Sequence, residues 1–235
     1  MLRIALIAIA LAAFGCPAAC KEAITPTESP TPAPTPACPI AEFFGGITGE
    51  WVGVCKQSTD GQATDDKYFH ACIRESSKSC FEARFDYYRL DTGGALTRIG
   101  GSNVTVTVAT DCSATGRVTG DGEVLVDKKP RKEEHDLTES LTWLAEDQLQ
   151  ARGAGSLKVY GMPLGLGKLG KVRDDQSTWK TTGGALSIQQ NLSIVFRALC
   201  FSKSFKIEAS YAAVRGSDIS SQIPKQTQDA AKSGG

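Results

Sequence analysis

Between residues 39 and 216 apolar and polar residues alternate with a period of two, as strands do when one face is buried and the other wet. The pattern begins at 47–55, I-T-G-E-W-V-G-V-C, which puts Ile47, Gly49, Trp51, Gly53 and Cys55 on one face. Phe81, Ala83, Phe85 and Tyr87 share a face, and Val104, Val106 and Val108 alternate with threonine or alanine. Val124 and Val126 follow a D-G step at Asp121-Gly122 that reads as a turn. Ile194, Phe196, Ala198 and Cys200 form a further row. After F-S-K-S, Phe205, Ile207, Ala209, Tyr211 and Ala213 line up opposite Lys206 and Glu208. About nine or ten such strands, joined by short Gly, Ser and Asp connections, predict an all-β fold, an antiparallel up-and-down barrel.

Two readings fit 136–153, D-L-T-E-S-L-T-W-L-A-E-D-Q-L-Q-A-R-G. Leu137, Leu141 and Leu144 suit one face of a helix, Asp136 with Glu139 resembles a capping box, and Gly153 suits a helix stop, so a short helix over about 137–151 is one expectation. The other is a hairpin turning at E-D-Q, with Leu141 and Trp143 inward on one arm and Leu149 and Ala151 on the other. The strands on either side favour the hairpin.

The ends have a different character. Residues 1–15 carry one basic residue, Arg3, and an apolar run too short for a bilayer core, as a signal peptide does. The run ends in A-A-F-G-C, which resembles a bacterial lipobox and makes Cys16 the expected lipidation site. Ordinary secretion, with cleavage after Ala19, is the alternative. Residues 16–38 then form a lipidated N-terminus and a Pro/Thr-rich linker, I-T-P-T-E-S-P-T-P-A-P-T-P-A, a polyproline-like spacer of roughly 40 Å. The barrel domain is expected over 39–216 and a disordered polar tail over 217–235.

Formal net charge is zero, so the chain lacks the basic footprint of a nucleic-acid binder. Eight cysteines in an exported chain point to disulfides. The candidates are Cys38, Cys55, Cys72, Cys80, Cys112 and Cys200, with Cys72 and Cys80 flanking S-S-K-S as a pair that would close one hairpin; the connectivity stays open. No C-x-x-C pair offers a zinc site, and no metal or cofactor is expected. The two histidines, His70 and His135, lie far apart, and K-E-E-H-D around His135 reads as a solvated charge run. Cys72, two residues from His70, is read as a disulfide partner rather than a nucleophile. The loop at 161–170, G-M-P-L-G-L-G-K-L-G, has the place of an apolar lid over one mouth or of packing on the outside, and it is no phosphate cradle. No hydrolase, metalloprotease or P-loop motif is present, which leads to the expectation of a non-enzyme.

G-E-W at 49–51, opening the first strand, resembles the G-x-W signature of the lipocalins and wider calycin barrels. That resemblance implies that Trp51 closes the barrel base and that Arg215, ending Y-A-A-V-R-G in the last strand, packs across it. Separately, a small barrel can hold one ligand where its inward residues leave space, and the inward aromatics Trp51, Phe85, Tyr87, Phe205 and Tyr211, with few charges among them, lead to the expectation of a small apolar or amphipathic ligand in the interior. The leading expectation is a barrel lipoprotein anchored by its lipid in the bacterial cell envelope. The second is a non-enzymatic envelope interaction or structural module with a filled core.

Overall fold

A computed structural model describes residues 38–126, 129–161, 170–198 and 201–223. A short helix, α1 (Pro39–Gly46), precedes strand β1 (Gly49–Thr59) and the two-residue β2 (Gln62–Ala63). Nine long strands follow: β3 (Lys67–Ser77), β4 (Cys80–Leu90), β5 (Leu96–Val108), β6 (Ala114–Val126), β7 (Lys129–Ala145), β8 (Gln148–Val159), β9 (Gly170–Thr182), β10 (Ala185–Ala198) and β11 (Phe201–Arg215). Each long strand pairs with the next in antiparallel order, and β11 returns to pair with β1 from Trp51↔Arg215 to Thr59↔Ile207. The result is a closed ten-strand up-and-down barrel, lipocalin-like in architecture. Closure leaves no long strand with an unpaired edge, which is how a sheet of this length avoids edge-to-edge aggregation.

The alternation read from sequence sets the inward rows. Ile47, Trp51 and Cys55 are buried together, as are Phe81, Ala83 and Phe85, the three valines of β5, and Phe205, Ile207, Ala209 and Ala213. The segment 136–153 is a hairpin, not a helix: Trp143 pairs with Leu149 and Ala145 with Gln148 around the turn. Its helical spacing loses because Leu141, Leu149 and Ala151 reach the common core only with a strand's period, while Leu144 is left in solvent. Asp121-Gly122 is no turn either. β6 runs through it, with Asp121 opposite Glu134 and Gly122 opposite Glu133. F-S-K-S lies inside β11, Ser202 to Ser204 pairing with Arg197 to Val195. At 183–184 two glycines with φ +57° and +82° make the two-residue link between β9 and β10, a conformation that side chains disfavour.

The one α-helix among the described residues is α1, which the period-two reading passed over. Pro39 sits in its first turn, and Ile40, Phe43 and Phe44 are spaced to bury one face. Phe44 stacks on Phe81 (centroids 5.4 Å apart) and leans on Trp179, while Phe43 meets Trp143 edge to face. The helix thus packs on the core at the end of the barrel where β1 begins. Beyond β11 the chain does not become a featureless tail at once. Asp218 caps a 3-10 turn, Ile219–Gln222, which packs on β1 and β3 with Ile223 buried.

No disulfide is formed among the described residues, where Cys38, Cys55, Cys72, Cys80 and Cys112 are free thiols. Cys72 stands opposite Arg84 and Cys80 opposite Ser77, so four residues of strand separate the proposed pair. At ~3.3 Å per residue that is roughly 13 Å, beyond the ~7 Å Cα limit for a bridge. Cys55 points into the barrel, whereas Cys72 and Cys80 lie on the outward parity of β3 and β4. Among the described thiols, Cys38 and Cys112 alone meet, joining the start of α1 to the β5–β6 turn. Cys16 and Cys200 lie outside the described residues, as do 162–169 of the expected lid loop.

Candidate functional site

Trp51 and Arg215 are directly paired across β1 and β11. The Arg215 guanidinium carbon lies 4.6 Å from the indole centre, and its two terminal nitrogens donate to the Thr48 and Gly46 carbonyls at 2.6 and 2.7 Å. Trp51 Nε1 donates to the Ile47 carbonyl at 2.8 Å. The G-x-W spacing has a steric cause here. Gly49 has φ +126°, and a Cβ on it would sit 2.7 Å from Arg215 Nη1. This pair belongs to the closed base, with α1 beside it.

Farther along the barrel, between the base cluster and a second apolar cluster that includes Val126, Val159, Phe196 and Phe205, the interior is hollow. The cavity is about 150 Å³. Phe85, Tyr87 and Tyr211 of the expected ligand set line it; Trp51 and Phe205 do not. Trp51 is spent on the base, and Phe205 packs edge to face on Phe196 beyond the hollow. The remaining wall has two characters. Val104, Val118, Ile188, Ile194 and Ala209 make it apolar, while Lys67, Ser102, Glu133, His135 and Glu139 put charge and hydrogen-bonding groups on the same lumen.

Those polar groups are the ones sequence reasoning missed. K-E-E-H-D is not a solvated run but the start of β7, where Glu133 and His135 turn inward with side chains only 12 % and 13 % exposed. The signal was parity: Glu133, His135 and Glu139 share the period-two face of Leu137 and Leu141. Their charge masked it. A second signal was the glycine between partners. Ser102, Gly120 and His135 lie in one row across β5, β6 and β7, and Ser102 Oγ meets His135 Nε2 at 3.2 Å over the intervening glycine. Gly120 has no room for a side chain, since a Cβ would come within 2.2 Å of the Gly101 carbonyl oxygen. Glu139, Gly153 and Asp175 repeat the device across β7, β8 and β9. A Cβ on Gly153 would meet Glu139 Cγ at 2.8 Å.

The network is nearly continuous. His135 Nδ1 lies 3.1 Å from both oxygens of Glu133. Ser102 is hydrogen-bonded onward to Tyr87, Tyr87 to Tyr211, and Tyr211 to Cys55. Burial pushes the phenols of Tyr87 and Tyr211 up and lifts the Cys55 thiol to about 11, so all three hold their protons at neutral pH. Lys67 Nζ donates to Gln57 Oε1 and to the Glu123 carbonyl, both at 2.7 Å, and burial lowers its pKa. Burial pulls the His135 pKa down, and the Glu133 carboxylate outweighs it, leaving the imidazole above its ordinary value. Glu139 is raised to about 8 by burial and by the Asp175 charge beside it. Burial raises Asp175 as well, so the site favours one proton held between the two carboxyls; Gln190 Nε2 donates to Asp175 Oδ1 at 3.2 Å and Asp175 Oδ2 is buried without a partner. Among the described residues no group of His, Cys, Asp and Glu is arranged to hold a metal ion.

No protein-family model matches the chain. No curated protein matches it in sequence. Among solved structures, the S-type phycobiliprotein lyase CPES from Guillardia theta matches 76 % of this chain and 93 % of its own, at a TM-score of 0.33 and 8 % identity. At that distance the lyase lends neither its substrate nor its residues to this protein. The expectation of a non-enzyme is nevertheless withdrawn. The expectation had rested on missing linear motifs, and such motifs report only catalytic groups that lie close together in sequence. Here the barrel brings Ser102 to His135 from 33 residues away.

Proposed function

We propose that the protein is a lipid-anchored envelope barrel that holds one compact amphipathic ligand in its interior. The observation that carries this reading is the two-sided cavity, in which an apolar wall faces a hydrogen-bonding row running from Glu133 through His135 and Ser102 to Tyr87. A cavity near 150 Å³ suits a ligand body on the scale of one aromatic ring, which apolar cavities of about that size do take up. A long acyl chain is too large for it, so the ligand class narrows to a small ring or short branched body with a polar edge. The hollow interior also disfavours the alternative of a structural module with a filled core.

The test is a titration with 4-nitrophenol followed by quenching of Trp179, which lines the cavity. Saturable one-to-one quenching that disappears in Ala209→Phe, where a ring occupies the space, supports the reading. Linear, unsaturable quenching, or equal quenching in Ala209→Phe, would sink it.

The anchoring half of the reading rests on the A-A-F-G-C segment and the Pro/Thr spacer. Cys16→Ser is expected to move the protein from the membrane to the soluble fraction, since a single diacylglyceryl group is the proposed anchor. Unchanged membrane partition would rule out Cys16 as the anchor point.

A further inference from the structure

The row Glu133–His135–Ser102 has the geometry of a nucleophile, a base and an orienting carboxylate, assembled inside the cavity rather than on a loop. With Glu133 accepting from Nδ1–H, the neutral imidazole presents Nε2 as an acceptor to the Ser102 hydroxyl. Tyr87 then donates to Ser102 Oγ and Tyr211 to Tyr87, which fixes the serine from behind and leaves a phenol beside the reacting oxygen. Gly120 is the structural reason that the serine and the histidine meet, because any side chain there would fill the gap between β5 and β7. All five polar side chains line the same lumen as the apolar wall of Val104, Val118 and Ile188.

We propose that Ser102, with His135 as general base, cleaves a small aryl or short-chain ester bound in the barrel by acyl transfer. Ser102 Oγ adds to the ester carbonyl carbon as its proton passes to His135 Nε2, and the Tyr87 phenol donates to the oxyanion that forms. Collapse breaks the bond to the leaving oxygen, which takes the proton from His135. Water, activated by the same imidazole, then releases the acid and restores the serine. Glu133 acts through His135, holding its tautomer and its ring plane; it is a positioning residue. This inference rests on the ligand-binding reading of the cavity.

The experiment uses p-nitrophenyl acetate, whose leaving group is the 4-nitrophenol of the binding titration. Saturable release of 4-nitrophenol is expected, with the acetyl group trapped on Ser102 in peptide mass mapping at low pH. Ser102→Ala and His135→Gln should each lower the rate about 100-fold or more, while 4-nitrophenol still binds Ser102→Ala. Glu133→Gln should lower the rate and move the pH midpoint of hydrolysis down. Removing Glu133 leaves Asp121 from β6 and Asp175 from β9 as the carboxylates whose fields reach the imidazole, with Asp136 beside it on the outer face of β7. Binding of 4-nitrophenol without hydrolysis, or hydrolysis undiminished in Ser102→Ala, would overturn the catalytic assignment and leave the cavity reading in place. Absence of both binding and hydrolysis would overturn the cavity reading and this one with it.

Discussion

Trp51→Ala is expected to cost ~3–5 kcal/mol in equilibrium denaturation, a large share of the ~5–15 kcal/mol that holds a domain together. The indole is 2 % exposed, its N–H is committed to the Ile47 carbonyl, and it lies at the seam where β11 closes onto β1. Truncation therefore opens a void and frees a carbonyl at the same point. Arg215→Ala alone should cost less, because the guanidinium is exposed and its loss lets water reach the Thr48 and Gly46 carbonyls. The two effects should not add. With the indole gone, the guanidinium has no ring 4.6 Å below it, so a coupling of ~0.5–2 kcal/mol should appear in the double-mutant cycle. Strict additivity would mean that the contact carries no energy and that the base is closed by α1 alone.

The second large effect is an alkaline loss of stability from the Glu139–Asp175 pair. Glu139 has a folded-state pKa raised to about 8, above the ordinary glutamate value of the unfolded chain. Folding therefore favours the protonated form. The stabilisation is fully present below the unfolded pKa, ~4.3, and is lost as pH rises through about 8. Burial raises Asp175 as well, so it acts in the same direction. The expected loss between pH 5 and pH 9 is on the order of 3–5 kcal/mol, because two carboxylates cannot both be charged in this site without cost. The raised pKa of His135 adds a further decline of the same sign, since the imidazolium paired with Glu133 is lost as pH rises. Glu139→Gln isolates the carboxyl pair: an amide still donates to Asp175 but cannot ionise. Tm measured against pH should be flatter in this variant than in the wild type, and higher above pH 8. An identical alkaline decline in Glu139→Gln would show that the pair does not share a proton.

Both effects arise from inward positions, and they differ in how far the sequence announces them. The Trp51–Arg215 contact was implied by the resemblance of G-E-W and V-R-G to the lipocalin pattern, and closure of β11 onto β1 sets the two residues side by side. The strand faces were legible for the same reason. A period of two commits every side chain of a strand to one face, and in Phe81–Phe85, Val104–Val108 and Phe205–Tyr211 the apolar residues all fall on one parity. The 136–153 segment could not be decided from its own residues, since Leu137, Leu141 and Leu144 fit a helix as well as Leu137, Leu141 and Trp143 fit a strand. The neighbouring strands β6 and β9 decided it by offering hydrogen-bonding edges on both sides.

Sequence alone determined the barrel class and the order of its inward rows, because both follow from local periodicity and chain order; the residues of the closing seam came through the lipocalin resemblance. Only the tertiary structure decided the interior chemistry. Ser102 and His135, or Glu139 and Asp175, stand two strands apart with a glycine between them. Which strands are neighbours, and in what register, is a property of the closed sheet. Charge on the inward parity of β7 reads as solvated surface until that register places it in the lumen. The thiols follow the same logic: spacing suggested Cys72 with Cys80, and only the fold could bring Cys38 to Cys112. A strand's own sequence specifies which way each side chain points, but contact across a barrel depends on the register of every strand in between.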